Sequence, residues 1–252
     1  MSFPLVHFFF ELLAYGVGYA LFRRAFRREE RPFARRRESF WIAVGAILGA
    51  AAGSKLVFLL QFPEFVRASF PSPEALLGGK TIVGGLLGGV LGVEAAKVRV
   101  GIRESTGDLF AFPVLAGLAV GRVGCLFAGL GDETFGSPTR LPWGFDFGDG
   151  VPRHPAPLYE IAFLLVLALL VRALEPPLSQ AGDTFRVFMA AYLAFRVTAD
   201  FLKPPFAPVA SAAEAALPRP HLYGFLTAIQ IAAFSGLLYY AAVFLRRGKR
   251  AP

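Results

Sequence analysis

The sequence predicts an all-α integral membrane protein with about seven transmembrane helices, the N-terminus outside and the C-terminus cytoplasmic. Three observations lead there. Of 252 residues, 55% are hydrophobic and only 17% charged, against about 25% charged in soluble domains, and the mean hydropathy is +0.54. The apolar residues gather into runs close to the ~20 residues that a helix needs to cross a bilayer. Basic residues are shared unevenly between the connecting loops. The single cysteine, Cys125, excludes an internal disulfide and a paired-cysteine zinc ribbon.

The first run, residues 4–22, has no basic segment before it and no small-residue cleavage site after it, so a retained helix is expected rather than a secretion signal. Runs 40–62 and 222–245 are long and clean, 157–174 and 184–202 are shorter, and 81–97 and 108–128 are Gly-rich and interrupted by charge. After the first run come Arg23, Arg24, Arg27, Arg28, Arg31, Arg35, Arg36 and Arg37, which the positive-inside rule puts in the cytoplasm. Alternate loops then place 16 of the 26 basic residues inside and six outside: Arg67, Lys80, Arg140, Arg153, Lys203 and Arg219. Basic loops facing anionic inner-leaflet lipid account for the net charge of +8 without nucleic acid. One polytopic domain, 1–252, is expected, with an extracytoplasmic loop region at about 129–157 that holds Trp143 and most of the concentrated polar residues. Loops of that length are often functional. No repeat of fixed period is present, and only the third and fourth runs are broken by glycine, which weakens a transporter assignment.

An ionisable side chain inside a span is costly and by default faces a cavity or a partner. Lys55, Glu94, Arg122, Arg196 and Asp200 are such residues, with Asp108 at a span edge. Arg122 stands between Gly121 and Gly124, where small neighbours admit a helix or a ligand. Its planar, permanently charged fork suits a bidentate hold on phosphate, or it pairs with Asp108 or Asp200 to knit the bundle. Snorkelling is the alternative for Lys55, and an intrahelical ion pair is the alternative for Arg196 and Asp200. Among the histidines, His154 sits with Arg153 just ahead of Tyr159 and Glu160, whereas His7 and His221 fall at outer interfaces and need no function. The stretch Gly84 to Gly89 lacks the strand and Lys-Ser/Thr of a phosphate loop, so close helix packing is expected there.

Gly121-Arg122-Val123-Gly124, Gly136-Ser137-Pro138-Thr139 and Arg153-His154-Pro155 with Leu158-Tyr159-Glu160 together resemble the bacterial prolipoprotein diacylglyceryl transferases. Tyr15-Gly16, Gly53 to Lys55, Gly84-Gly85-Leu86-Leu87-Gly88, Phe195-Arg196, Asp200-Phe201, Lys203 and Gln230 extend the similarity over nearly the whole chain. The resemblance implies a multi-pass enzyme of the bacterial inner membrane that moves the diacylglyceryl group of phosphatidylglycerol onto the lipobox cysteine of a preprolipoprotein. Its partners would be phosphatidylglycerol, the preprolipoprotein signal peptide and the membrane; no nucleic acid, metal or organic cofactor is expected. It further implies Arg122, His154, Glu133 and Glu160 as catalytic residues, and Tyr15, Gly136, Arg153, Tyr159, Arg196 and Lys203 as substrate-binding residues.

The chain departs from the family pattern in four places. Val83 stands where a histidine is usual, and Cys125-Leu126-Phe127-Ala128 stands where Asn-Phe-x-Asn is usual. Pro157 replaces a glutamine and Lys203 an arginine. A divergent paralogue that binds anionic phospholipid, with another acceptor or no catalysis, is therefore the alternative.

Overall fold

The computed structural model describes residues 3–28, 38–69, 79–174 and 180–248. In chain order its helices are α1 (Phe3–Arg28), α2 (Glu38–Gln61), the short α3 (Pro63–Ser69), α4 (Ile82–Val100), α5 (Asp108–Ala128), α6 (Ala156–Leu174), α7 (Asp183–Ala199), the short α8 (Ala212–Ala215) and α9 (Ala228–Gly248). Five of them, α1, α2, α5, α6 and α9, are long and apolar enough to cross a membrane, and the protein is a multi-pass membrane protein. The other two long helices miss for visible reasons. Helix α4 carries Glu94, Lys97 and Arg99 in its second half. Helix α7 has 17 residues, including Asp183, Arg186 and Arg196, and reaches about 26 Å at a 1.5 Å rise, short of a hydrocarbon core about 30 Å thick.

Helix positions follow the apolar runs, with two corrections. Helix α1 continues past the apolar stretch through Arg23 to Arg28, because arginine is itself a good helix former. The last helix begins at Ala228, not near residue 222: Leu222–Tyr223 (β1) and Leu226–Thr227 (β2) form an antiparallel hairpin around Gly224, whose φ is +71°. Thr227 then caps α9. Its Oγ1 accepts from Gln230 N at 3.3 Å, while Gln230 Oε1 accepts from Thr227 N at 3.0 Å, a reciprocal capping box that satisfies two otherwise orphaned donors.

Packing divides the chain into two compact units. One holds α1, α5, α6, the Asp183–Tyr192 part of α7 and the segment Thr198–Leu217; the other holds α2 to α4, Leu193–Val197 and α9.

In the second unit α2 and α4 run antiparallel, glycine against glycine. Gly45 faces Gly92, Gly49 faces Gly88 and Gly53 faces Gly84, each so close that an added Cβ would collide with the partner's backbone carbonyl. Small residues at four-residue spacing let two helix backbones touch, which is how helices associate where the surrounding lipid is as apolar as leucine. The expectation of close packing at Gly84 to Gly89 is met in this register. Ser54 and Thr81 close one end of the pair: Ser54 Oγ donates to Thr81 O and accepts from Thr81 N, both at 2.9 Å, and Thr81 Oγ1 donates to Ser54 O at 3.0 Å.

In the first unit α1 lies along α5, and α5 packs on α6. Gly124 is required at the first contact, since a Cβ there would stand 2.6 Å from that of Phe10. The Asp108 carboxylate at the start of α5 accepts from Gly182 N at 2.5 Å and Phe185 N at 3.0 Å. It thereby caps the orphan amides at the start of α7, where a negative charge also suits the helix dipole.

Candidate active site

Three groups of polar side chains stand in the first unit, the second of them open to the surface at Trp143. The innermost is built on three helices. Arg122 Nε lies 2.9 Å from Glu160 Oε2, Tyr192 OH donates to Glu160 Oε1 at 2.7 Å, and all three residues are buried. Arg122 Nη1 also donates to Cys125 Sγ at 3.5 Å, one helical turn on. The partner of Arg122 is thus Glu160, on α6, rather than Asp108, which caps α7, or Asp200, which lies 3.6 Å from Lys203 Nζ. An unpaired charge at this depth would be prohibitive, and the pair with its hydroxyl donor is what allows it.

The second group forms the entrance to α6. Gly136 to Thr139 runs beside Pro152 to His154: Gly136 N donates to His154 O at 3.0 Å, His154 N to Ser137 O at 3.0 Å and Thr139 N to Pro152 O at 2.9 Å. Pro152–Arg153 (β4) also pairs antiparallel with Phe145–Asp146 (β3). Gly136 is required here, because a Cβ would fall 2.6 Å from both His154 Cβ and His154 O. This layer presents His154 next to the first turn of α6. Trp143 Nε1 donates to Tyr159 OH at 2.8 Å, and His154 Nδ1 lies 3.1 Å from the same oxygen. The indole N–H only donates, whereas the Tyr159 hydroxyl can donate to or accept from His154 Nδ1 according to the imidazole tautomer.

The third group clasps that layer from below. Arg153 is 0% exposed, with Nη2 at 2.6 Å from Asp149 Oδ2 and 2.9 Å from Glu214 Oε2, and its guanidinium lies 5.0 Å from the Phe135 ring centroid. Ser211 Oγ donates to Asp149 at 2.6 Å and accepts from Glu214 N at 3.1 Å, capping α8. Burial works against the Asp149 charge, but the bonds from Arg153 and Ser211 outweigh it and hold the carboxyl below its ordinary 3.8. A depressed folded-state value stabilises the fold above the unfolded value and loses that contribution as pH falls through the folded one. Thermal unfolding in detergent should therefore show the wild-type midpoint falling as pH drops below about 4. Asp149→Asn should melt lower at neutral pH and show less of that acid loss; an acid response equal to wild type would refute the assignment.

Glu133 follows the 3-10 turn Gly129–Asp132 in a left-handed conformation, with φ +56°. Burial, and then the nearby Asp132 charge, push its carboxyl up to about 7.

The sequence of the whole chain, compared with known proteins, matches the profile of the prolipoprotein diacylglyceryl transferases over residues 7–245. The chain belongs to that family. A phosphatidylglycerol–prolipoprotein diacylglyceryl transferase of Cupriavidus metallidurans is 34% identical over 63% of this chain and 60% of its own length. The same-named proteins of Bordetella parapertussis and Geobacter sulfurreducens are 32% identical over 77% of this chain and 76% of theirs, and 36% identical over 66% and 64%. The stretches aligned with the Cupriavidus and Geobacter proteins thus span less than two thirds of those proteins' lengths.

Within this transferase-family chain the predicted site residues fall unevenly. Arg122 with Glu160, and His154 with Tyr159 over Gly136, stand together in one unit. Arg153 is enclosed by carboxylates, and Lys203 is half-buried beside Asp200. Tyr15 is 63% exposed and donates to Glu11 at 2.8 Å. Arg196 is buried in the other unit. Sequence inspection misses Tyr192, Ser211 and Glu214, whose partners are distant in the chain, and Asp149, which pairs with Arg153 only four residues on. For Tyr192 a signal existed: a hydroxyl in an apolar helix needs a hydrogen-bond partner.

Proposed function

We propose that the protein transfers the diacylglyceryl group of phosphatidylglycerol to the lipobox cysteine thiol of preprolipoproteins in the bacterial inner membrane. The bundle would cross seven times, N-terminus outside, with the 129–157 loop region extracytoplasmic. The observation that carries the assignment is the buried Arg122–Glu160–Tyr192 group directly following the His154–Tyr159 layer in a chain of this family.

The reaction forms a carbon–sulfur bond as the carbon–oxygen bond to phosphate breaks, and the electron pair leaves on glycerol phosphate. The site has to stabilise that developing charge and remove the thiol proton. A guanidinium has five N–H donors; Glu160 and Cys125 engage two of the nitrogens of Arg122, and the remaining donors suit a phosphate. Glu160 fixes the plane of that fork, and its two oxygens are engaged by Arg122 and Tyr192. His154 Nδ1 is engaged by Tyr159, with Nε2 left to meet the substrate. Of the three candidate proton acceptors, Glu133 is then the one whose carboxylate takes no hydrogen bond among the described residues. Arg153, whose Nη2 meets two carboxylates, positions the layer that carries His154.

Purified protein with radiolabelled phosphatidylglycerol and a lipobox peptide tests this. Label should reach the peptide thiol, and Glu133→Gln and His154→Ala should each slow transfer at least about tenfold, the lower range for a positioned acid or base. Wild-type rates in both variants would count against these roles. One observation favours the second possibility: Val83, at the usual histidine position, is fully buried and apolar. If lipid binds but label never reaches the thiol, the chain is an anionic-phospholipid-binding relative.

A further inference from the structure

One cluster of metal-ligating side chains borders the Arg122 group through Cys125 and includes two residues, His7 and Asp132, given no role above. His7 on α1, Cys125 on α5 and Asp132 at the end of the following 3-10 turn bring a ring nitrogen, a thiol sulfur and a carboxylate oxygen within 4.8 Å of one another. We propose that these three residues hold a borderline-soft divalent cation of the zinc class, in a three-ligand site one turn from Arg122.

The fold builds the cluster from three separate constraints. Gly124 lets α1 approach α5 at Phe10, which brings His7, one turn earlier, against the end of α5. Gly129, with φ +71°, breaks α5 and turns the chain so that Asp132 comes back toward Cys125. Thr134 Oγ1 donates to Asp132 Oδ2 at 2.7 Å and so directs Oδ1 to His7 Nδ1, 2.9 Å away. A ligating carboxylate is itself usually held by a hydrogen bond, here from Thr134.

The donor set indicates the metal. Thiolate and imidazole select zinc-class ions, whereas magnesium and calcium favour oxygen alone. Bonds of about 2.0–2.1 Å place nitrogen and oxygen ligands roughly 3.3 Å apart in a tetrahedral site, so His7 and Asp132 have only to part slightly. Three protein ligands with a fourth position open is the pattern of reactive rather than structural zinc sites. That position accepts water, or a thiol whose proton departs to water as the sulfur–metal bond forms. Capture of the acceptor thiol there rests on the proposed transferase function; metal binding itself does not.

Untagged full-length protein in detergent, exposed to Zn²⁺ and desalted, should retain close to one zinc per chain. With Co²⁺ it should show thiolate-to-cobalt charge-transfer absorption in the near ultraviolet, and Cys125→Ser should lose that band. His7→Ala and Asp132→Asn should weaken zinc binding by more than the ~10–100-fold that a lost supporting contact costs. Zinc should raise the melting temperature of the wild type but not of Cys125→Ser. No retained zinc, or a cobalt spectrum unchanged by Cys125→Ser, overturns the site and shows the cluster to be a hydrogen-bonded network. Zinc bound with a transfer rate indifferent to chelation removes the thiol-capture step alone.

Discussion

Arg122→Ala is expected to abolish measurable transfer, lowering the rate by about 10²–10³, the scale for removing one preorganised charge-stabilising donor. The same substitution also removes the partner of a buried carboxylate. Glu160 sits 2.9 Å from Arg122 Nε, on the inner side of α6. Left alone it faces the ~3–5 kcal/mol penalty of an uncompensated buried charge, so lost activity by itself would not separate chemistry from folding. The double variant Arg122→Met/Glu160→Gln does separate them. It has no orphan charge, keeps a hydrogen-bond acceptor for Tyr192, and should recover most of the melting temperature lost by Arg122→Ala. If Arg122 holds the departing phosphate, the double variant stays inactive although folded. Recovery of both melting temperature and rate would show that the pair only knits the bundle. Arg122→Lys keeps the charge but not the fork and should fall between, with transfer reduced more than stability.

The helices were largely legible in the sequence, because membrane helices announce themselves by length and composition. What hides is whatever depends on a partner far along the chain. Arg122 is conspicuous as a charge in an apolar run, yet nothing local says that Glu160 rather than Asp108 or Asp200 answers it; that follows from how α5 meets α6. Arg153 looks like an available outer cation and is instead enclosed, since Glu214 reaches it from a loop some sixty residues later and Ser211, in the same loop, holds its other partner Asp149. The hairpin before α9 resembles helix in the sequence because Leu222, Tyr223, Phe225 and Leu226 are as apolar as the helix that follows. The signals against a helix were Gly224, suited to a left-handed turn, and Thr227 three residues before Gln230. His7 looked dispensable because its neighbours, Cys125 and Asp132, arrive only when α1 lies along α5.

Gly88→Ala should damage the fold severely, whereas Gly89→Ala, one residue on, should be nearly neutral. Both add a single methyl group to the same glycine-rich helix, so propensity cannot distinguish them; alanine is the better helix former in either place. Geometry does. A Cβ at Gly88 would overlap the carbonyl of Gly49 and lie 2.8 Å from Gly53 Cα, whereas one at Gly89 would meet Ala50 Cβ at 3.6 Å and the Ala46 carbonyl at 3.7 Å. The first obstacle is backbone on the facing helix, which has no rotamer to escape into. The whole α2–α4 pair must spread, giving up contacts at Gly45–Gly92 and Gly53–Gly84 as well. The cost should reach or exceed the ~1–3 kcal/mol of an overpacked core, because in lipid close packing itself holds such helices together. The ordinary contact at Gly89 costs nothing comparable. Melting temperature and the monodisperse fraction in detergent should therefore fall sharply for Gly88→Ala and Gly49→Ala, and stay near wild type for Gly85→Ala and Gly89→Ala. Equal damage at positions 88 and 89 would mean that the register is wrong by a residue, and the glycine-on-glycine packing of this unit would have to be abandoned.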